Sequence, residues 1–421
     1  MSQVERVGAA PASRPVPRVP WRPGRWAWWV QVLAVYALSR VYSALVLLVV
    51  LGQQGSTPAR WWGPGRPPYA VFLADWWDGW WYRQIAEGGY PDQLPTRADG
   101  QVTMNVWAFY PLYPRLVRAL QDLTGLGWDL VAPSVAVMVG AVAMLGVHTC
   151  IRAGAPAAVA ARPGLPLATV AVLCVFPSSV VLGAAYTESL ALVLVAVSLL
   201  LVLRRRYLWA LVPVALLGFT RAVALPLAAV VAVHALVRLR EARAGGPPVR
   251  EWPAIGLLLG TTVASGFAWQ VIAGVVTGVP DAYLRTQEAW RRPRPVSPFA
   301  GWTRLETLSP TVTVLVVLAV LGLLALLASR SARRLGPELY AWSVAYLVYL
   351  AAVSDVISSL VRFLLLAFPL LAALVGLVPT PVRRARWWLA GLLVVLAVLQ
   401  VLWAWQIWVY VPHEVGFLKA P

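Results

Sequence analysis

Asp75-Trp76-Trp77-Asp78-Gly79-Trp80-Trp81-Tyr82-Arg83-Gln84-Ile85-Ala86-Glu87-Gly88-Gly89-Tyr90 follows the first strongly apolar segment of the chain. Two carboxylates three residues apart share one face if the stretch is a single helix. Aromatic rings surround them. Trp and Tyr gather at membrane–water interfaces because the ring body is apolar while one edge is polar. Carboxylates at that depth are placed to act on a molecule that is half lipid and half sugar or phosphate. The stretch also reads as a solvated interfacial helix with incidental acids.

The rest of the chain supplies the membrane. Hydrophobic residues make up 60% of the sequence and charged residues 12%, which excludes an ordinary soluble domain and predicts an all-α polytopic membrane protein. The net charge of +18 does not indicate nucleic acid, because the basic residues are scattered between apolar segments and form no single patch. All of them are Arg except Lys419. Abundant Ala, Val, Pro, Gly and Arg with almost no Lys reads as the coding bias of a GC-rich bacterial genome, which places the chain in a bacterial plasma membrane. Cys150 and Cys174 lie in apolar segments as packing residues, not as a disulfide or metal pair. His148, His234 and His413 show no ligand spacing, so no metal site is expected.

Apolar segments run at about 27–51, 129–151, 166–183, 186–203, 207–220, 222–238, 253–277, 310–329, 338–353, 359–378 and 387–411. Several fall short of the roughly 20 residues a spanning helix needs, which predicts tilted, broken or re-entrant pieces. Alternate junctions are basic: Arg152 and Arg162, Arg204–Arg206, Arg238–Arg250, Arg330–Arg334 and Arg383–Arg386. The positive-inside rule then gives about eleven spans with the N-terminus in the cytoplasm and the C-terminus outside. Residues 1–25 read as a disordered cytoplasmic tail and 26–412 as one transmembrane domain.

Two outer loops stand out. Residues 52–128 form a long first loop whose Trp, Tyr and Pro content argues against disorder and predicts short interfacial helices. Residues 278–309 carry Arg285, Arg291, Arg292, Arg294 and Arg304 on the outer side, against the charge bias. Phosphate binding gives them a reason, and so does pairing with anionic headgroups. Charges inside apolar segments cost roughly 2.5–3.5 kcal/mol on insertion scales, so each implies a task. Glu188, Arg221, Asp355 and Arg362 all map to the outer side, with Asp78. Structural ion pairs, Asp355–Arg362 and Glu188–Arg221, are one account of them. An outward cavity with acid on one wall and phosphate-binding guanidinia on another is the second.

These segments resemble the PIG-V family of GPI mannosyltransferase II and its bacterial relatives, within the glycosyltransferase C (GT-C) superfamily. The resemblance is carried, in order, by Trp77-Asp78-Gly79-Trp80-Trp81-Tyr82 with Gly89-Tyr90, and by Ala108-Phe109-Tyr110-Pro111-Leu112-Tyr113-Pro114. Phe176-Pro177 with Tyr186-Thr187-Glu188-Ser189, Thr220-Arg221, and Arg362-Phe363 with Phe368-Pro369-Leu370 follow, and Gln287-Glu288-Ala289-Trp290 is weaker. It implies a GT-C fold and an inverting mannosyltransferase that uses a polyprenyl phosphate mannose donor at the outer face, with no cofactor. Asp78 matches the superfamily's catalytic acid in the first outer loop and is expected to be the general base. Arg362 and Arg221 are expected to bind the donor phosphate. Asp75, Tyr82, Tyr110, Glu188, Gln287 and Trp290 are expected to touch substrate, although Trp290, Trp80, Trp81 and Tyr82 serve equally as interfacial anchors. A bacterium makes no GPI anchor, so the acceptor departs from the eukaryotic family and is read as a lipid or glycan of the cell envelope. The family pattern does not fix the role of Asp75. A transporter or flippase for a lipid-linked sugar needs the same arginines, but not acids in a long loop, and its halves tend to repeat; this chain shows no repeat. A non-catalytic lipid-binding protein is the remaining alternative.

Overall fold

A computed structural model describes residues 26–54, 66–246, 250–291, 296–355, 358–378 and 382–409. The expected N-terminal tail, Lys419, His413, Arg292 and Arg294 lie outside them. The described chain is helical, with one isolated bridge between Thr96 and Val102. Helix α1 (Trp28–Gly52) leads into α2 (Tyr69–Asp75), α3 (Asp78–Gly88) and α4 (Leu112–Thr124), which fill the long first loop. Then come α5 (Trp128–Gly154), α6 (Pro156–Ala161), α7 (Leu165–Cys174), α8 (Glu188–Leu203), α9 (Tyr207–Leu217), α10 (Leu225–Arg243) and α11 (Trp252–Thr277). The second loop carries α12 (Ala282–Trp290). The chain continues through α13 (Pro310–Ala328), α14 (Arg330–Arg333), α15 (Pro337–Val353), α16 (Ser358–Phe363), α17 (Phe368–Val375) and α18 (Val382–Trp408).

Local chemistry explains the ends of these helices. Ser309 Oγ accepts from the Val312 N–H and Pro310 opens α13, which satisfies one orphan donor and removes another. Asp129 in the first turn of α5 and Arg152 in its last turn complement the helix dipole. Helices α1, α5, α11, α13 and α18 are long and apolar enough to cross a membrane, while α7, α8, α9, α15 and the 359–375 stretch are shorter. Helix α13 shows what the solvent must be. It is apolar throughout and buries none of its residues in the protein, with Leu315, Leu318, Leu321 and Leu324 more than half exposed. Each such side chain gains roughly 1.5–3 kcal/mol on leaving water, so this helix requires lipid.

The core runs along α5 packed on α8, with α9, α11 and α10 continuing one side and α7, α17 and α1 the other. Every one of the eleven apolar segments falls on helix, but two of them are interrupted. In the 166–183 segment α7 stops at Cys174, and a short 3-10 turn, Ser179–Gly183, follows. The freed carbonyls find donors across the bundle. Arg40 of α1 donates to Ser179 O at 2.7 Å and to Cys174 O at 3.3 Å, while Ser179 Oγ donates to Cys174 O at 2.7 Å. Gln400 of α18 donates to Ser179 Oγ at 2.7 Å and Ser43 Oγ at 3.1 Å. A helix breaks in an apolar interior where such substitutes exist. The 359–378 segment is likewise divided between α16, a 3-10 turn over Leu364–Ala367, and α17. Both interruptions bring functional-type residues to the same end of the bundle.

Candidate functional site

The expected shared face of Asp75 and Asp78 does not form. Asp75 ends α2 and Asp78 begins α3, with Trp76 and Trp77 between them. Trp77 has φ +52° and ψ −112°, a backbone position that costs a non-glycine residue of order 1–3 kcal/mol. The surroundings hold it there. Trp77 Nε1 donates to Ile407 O of α18 at 3.1 Å, Trp128 Nε1 donates to Ala74 O at 3.2 Å, and the Tyr186 hydroxyl donates to Trp76 O at 3.3 Å. Gly79 is forced by the same bend, since a Cβ there would meet Ala74 O at 2.2 Å. The break turns the two acids to different partners. Asp75 takes Arg83 at 2.9 Å, and Arg83 also holds Glu87 at 2.8 Å, so Asp75 ties α2 to α3.

Asp78 instead faces the core. Its Oδ2 accepts from Arg362 Nη1 at 2.6 Å, joining residues 284 positions apart. Arg362 Nε also lies 2.9 Å from Glu188 Oε1. The same Glu188 oxygen accepts a hydrogen bond from Arg221 Nη1, which also donates to Thr187 Oγ1 at 3.2 Å. Glu188 is fully buried, Arg362 nearly so, and the Asp78 side chain keeps 17% of its surface open. The cluster is thus two acids and two guanidinia, neutral as a whole, with Asp78 the more exposed of the two acids. Neutral, mutually paired charge is the form in which ions persist in a low-dielectric interior. The two guanidinia also lie over rings: Arg362 is 5.0 Å from the Tyr186 centroid, and Arg221 is 4.5 Å from that of Phe363.

The expected Asp355–Arg362 pair is not made, because Arg362 uses Asp78 and Glu188. The Glu188–Arg221 pair is present, and Glu188 binds both arginines at once. Tyr82 also belongs here, with its hydroxyl 3.2 Å from Thr187 Oγ1 and its ring edge-on to Phe109 and Tyr113. Other expected residues lie further out. The Tyr110 hydroxyl donates to that of Tyr283 at 3.3 Å, and Gln287 sits one turn beyond Tyr283 on α12. Trp290 packs edge-on against Trp81 and Phe109, and its Nε1 donates to Asn105 O at 3.3 Å, fastening α12 to the first loop. Of the described second-loop arginines, Arg285 pairs with Asp281 at 2.9 Å on its own helix, and Arg291 donates to Val353 O at the end of α15. Thr187, Tyr186 and Phe363 have no individual role in the sequence analysis, although all three stand in the motif blocks that carry the family resemblance.

Electrostatics sets the readiness of Asp78. Burial pushes its carboxyl above the usual aspartate range, and the Arg362 guanidinium pulls the other way without cancelling the shift. A carboxylate with raised proton affinity, partly exposed and paired with an arginine, has the attributes of a general base. Glu188 has no open side, so it is suited to hold the two arginines and not to meet a substrate.

No family model matches the sequence, and no curated protein matches it. The resemblance to the PIG-V family therefore rests on its motif blocks alone. Solved structures of similar arrangement include the Archaeoglobus fulgidus oligosaccharyltransferase in complex with zinc and sulfate, at 13% identity and a TM-score of 0.45, covering 88% of this chain and 53% of that one. The same enzyme tethered to an acceptor peptide gives 13% identity and a TM-score of 0.46, covering 89% of this chain and 55% of that one. The archaeal oligosaccharyltransferase AglB from A. fulgidus, in complex with an inhibitory peptide and a dolichol-phosphate, gives 12% and 0.44, covering 90% and 56%. This chain spans about half the length of these proteins.

Proposed function

We propose that this protein is an inverting membrane glycosyltransferase of the GT-C type that moves mannose from a polyprenyl phosphate donor to a lipid or glycan acceptor at the outer membrane face. The observation that carries the proposal is the Asp78–Arg362 pair at 2.6 Å, backed by Arg221 through the shared Glu188. It supports a reading in which Asp78 is the base and Arg362 and Arg221 are phosphate ligands, side by side at one end of the helical bundle.

In the resting enzyme Arg362 neutralises Asp78. The donor phosphate competes for Arg362, whose planar fork matches two phosphate oxygens. Once Arg362 turns to the phosphate, Asp78 loses its main counter-charge and its carboxylate gains proton affinity. It then takes the proton from the acceptor hydroxyl. The acceptor oxygen bonds to the anomeric carbon as the bond from that carbon to the phosphate oxygen breaks, and the electron pair leaves with the polyprenyl phosphate. One displacement turns a β-linked donor into an α-linked product. The phosphate needs no strong acid to leave, only the charge stabilisation that Arg362 and Arg221 offer. Tyr82, Tyr110, Gln287 and Trp290 are the residues of the two loops assigned to substrate contact, and Asp75 keeps α2 against α3 through Arg83.

The test uses the purified chain in lipid nanodiscs with radiolabelled polyprenyl phosphate mannose and a crude membrane acceptor pool. Transfer of label to an acceptor, lost in Asp78→Asn, is expected. Translocation of the intact donor across vesicles without transfer would replace the enzyme with a transporter.

A further inference from the structure

Arg40 sits at the middle of α1, about 18 Å from either end at 1.5 Å per residue. A charge at the centre of a span is costly and is retained for a task. Among the described residues no carboxylate pairs with it. Its guanidinium lies 5.1 Å from the Tyr36 ring centroid and donates to two carbonyls, Ser179 O at 2.7 Å and Cys174 O at 3.3 Å. Cys174 ends α7 and Ser179 begins the 3-10 turn, so the two carbonyls flank the break between them. A hydroxyl donor would satisfy one carbonyl. A rigid planar fork spans both and fixes their separation.

The segment so held meets both members of the Asp78–Arg362 pair. Ser178 is buried within it, and its Oγ donates to Val361 O at 3.0 Å. On the far side of Arg362 the Tyr346 hydroxyl donates to Phe363 O at 2.9 Å. Two hydroxyls therefore hold the backbone immediately before and after Arg362, in the short helix α16. Towards Asp78, the chain leaves the turn through Ala185, whose N–H donates to Leu73 O of α2 at 2.9 Å. Tyr186 follows, with its hydroxyl on Trp76 O at the bend before Asp78. The Arg362 guanidinium and the Asp78 carboxylate meet at 2.6 Å, and the held segment is a support common to both. A hydrogen bond weakens steeply when its geometry is displaced, so the pair depends on that support.

We infer that Arg40 is a positioning residue: by clamping the Cys174–Ser179 break it holds Ser178 on Val361, and so sets the Arg362 guanidinium against Asp78. The inference rests on the reading of Asp78 as base and Arg362 as phosphate ligand. Without the clamp Arg362 drifts, and Asp78 loses part of its counter-charge. Arg362, Glu188, Arg221, Tyr82 and Tyr186 are the charged and titratable groups that face Asp78. Arg40 is tied to Asp78 through the backbone it holds. Ser178 carries the same tie without a charge, which separates positioning from any direct field of Arg40.

The experiment titrates Asp78 in the purified full chain in nanodiscs, with no donor present. The readout is the infrared band of its protonated carboxyl, isolated by subtracting the spectrum of Asp78→Asn. An opposite charge at this range lowers a carboxyl titration by roughly 1–3 pH units, so partial loss of Arg362 raises it. Arg40→Gln and Ser178→Ala are each expected to move the titration up by about one pH unit. The acid limb of kcat/KM should move with it, since that limb reports the free enzyme. Tyr42→Phe is the control on the same helix: it removes a bond to Ala397 O at 2.7 Å, which leads to α18 and not to Arg362, and should leave the titration in place. Ser178→Ala decides the matter where Arg40→Gln does not fold. A lowered melting temperature with an unmoved titration in the folded variants would overturn the inference and leave Arg40 a purely structural role. A shift in Arg40→Gln with none in Ser178→Ala would overturn it in favour of a direct field, and an equal shift in Tyr42→Phe would overturn it in favour of general loosening. The titration needs no turnover, so failure of the proposed mannosyl transfer leaves this result standing.

Discussion

Asp78 and Asp75 stand three residues apart in sequence and meet different guanidinia, which separates their functions. Asp78→Asn keeps the side-chain shape and one hydrogen bond to Arg362 but cannot take a proton. Transfer should fall by roughly 10²–10⁴-fold in single-turnover assays of the folded variant, and thermal melts should record a stability loss smaller than that of a Glu188 variant, because Asp78 is the more exposed acid. Asp75→Asn should instead loosen α2 from α3 and lower the melting temperature, with a smaller loss of rate. The reverse ranking would hand the base role to Asp75. Glu188 is a third case, since it balances two arginines in the interior. Glu188→Gln leaves a buried cluster with an excess positive charge, a loss of about 3–5 kcal/mol when one partner of a buried ionic group is removed. Detergent unfolding curves should show this even with no substrate present. The acid limb of kcat/KM follows from burial of Asp78. Its raised carboxyl takes up a proton at a higher pH than a free aspartate near about 3.9, so activity should fall on acidification while an exposed aspartate would still be ionised. A pH–rate profile with no acid limb above the ordinary aspartate range would remove Asp78 from the proton transfer.

At the scale of elements, the decisive feature is the break between α2 and α3, and it was invisible in the sequence. Spacing makes Asp75 and Asp78 neighbours on one helical face. The break is made instead by contacts with residues far along the chain: Ile407, Trp128 and Tyr186 clamp Trp77, Ala74 and Trp76. No local propensity encodes those contacts. Only Gly79 leaves a trace, as a glycine within an aromatic run. Gly79→Ala should push on the Ala74 carbonyl, displace Asp78 and cost roughly 1–3 kcal/mol as over-packing does. Melting temperature and transfer rate should fall together, whereas a purely flexible glycine would leave both unchanged. The apolar segments were legible for the opposite reason: their signal is local, and each coincides with helix. The interruption at Cys174 was hidden within one of them, because the donors that permit it, Arg40 and Gln400, come from α1 and α18. The charges that stand out in apolar sequence, Asp78, Glu188, Arg221 and Arg362, come together in one cluster. Thr187 and Tyr186 stand in a motif block, but nothing in the sequence says that they touch Arg221 and Arg362.

For the whole molecule, the two ends of the bundle differ in kind, and this sets a test of orientation. One end holds the first loop, α12 and the paired Asp78 cluster. The other holds Arg152, Arg204, Arg205 and Arg206, where Arg205 reaches Glu241 at 3.1 Å. The positive-inside rule assigns the second end to the cytoplasm, because arginine-rich short loops are retained there during insertion. The geometry makes the assignment all-or-none. Helices α1, α5 and α8 each run from one end to the other, so fixing any one loop fixes both surfaces. A single cysteine at exposed Arg204 should therefore resist a membrane-impermeant maleimide on intact cells and react after permeabilisation. A cysteine at exposed Asp99, in the first loop, should react before it. Cys150 and Cys174 are buried and contribute little background in either state. Labelling of the Arg204 position on intact cells would invert the molecule, placing Asp78 in the cytoplasm. A donor presented at the outer face would then be out of reach, and the proposed transfer would have to occur on the inner leaflet instead.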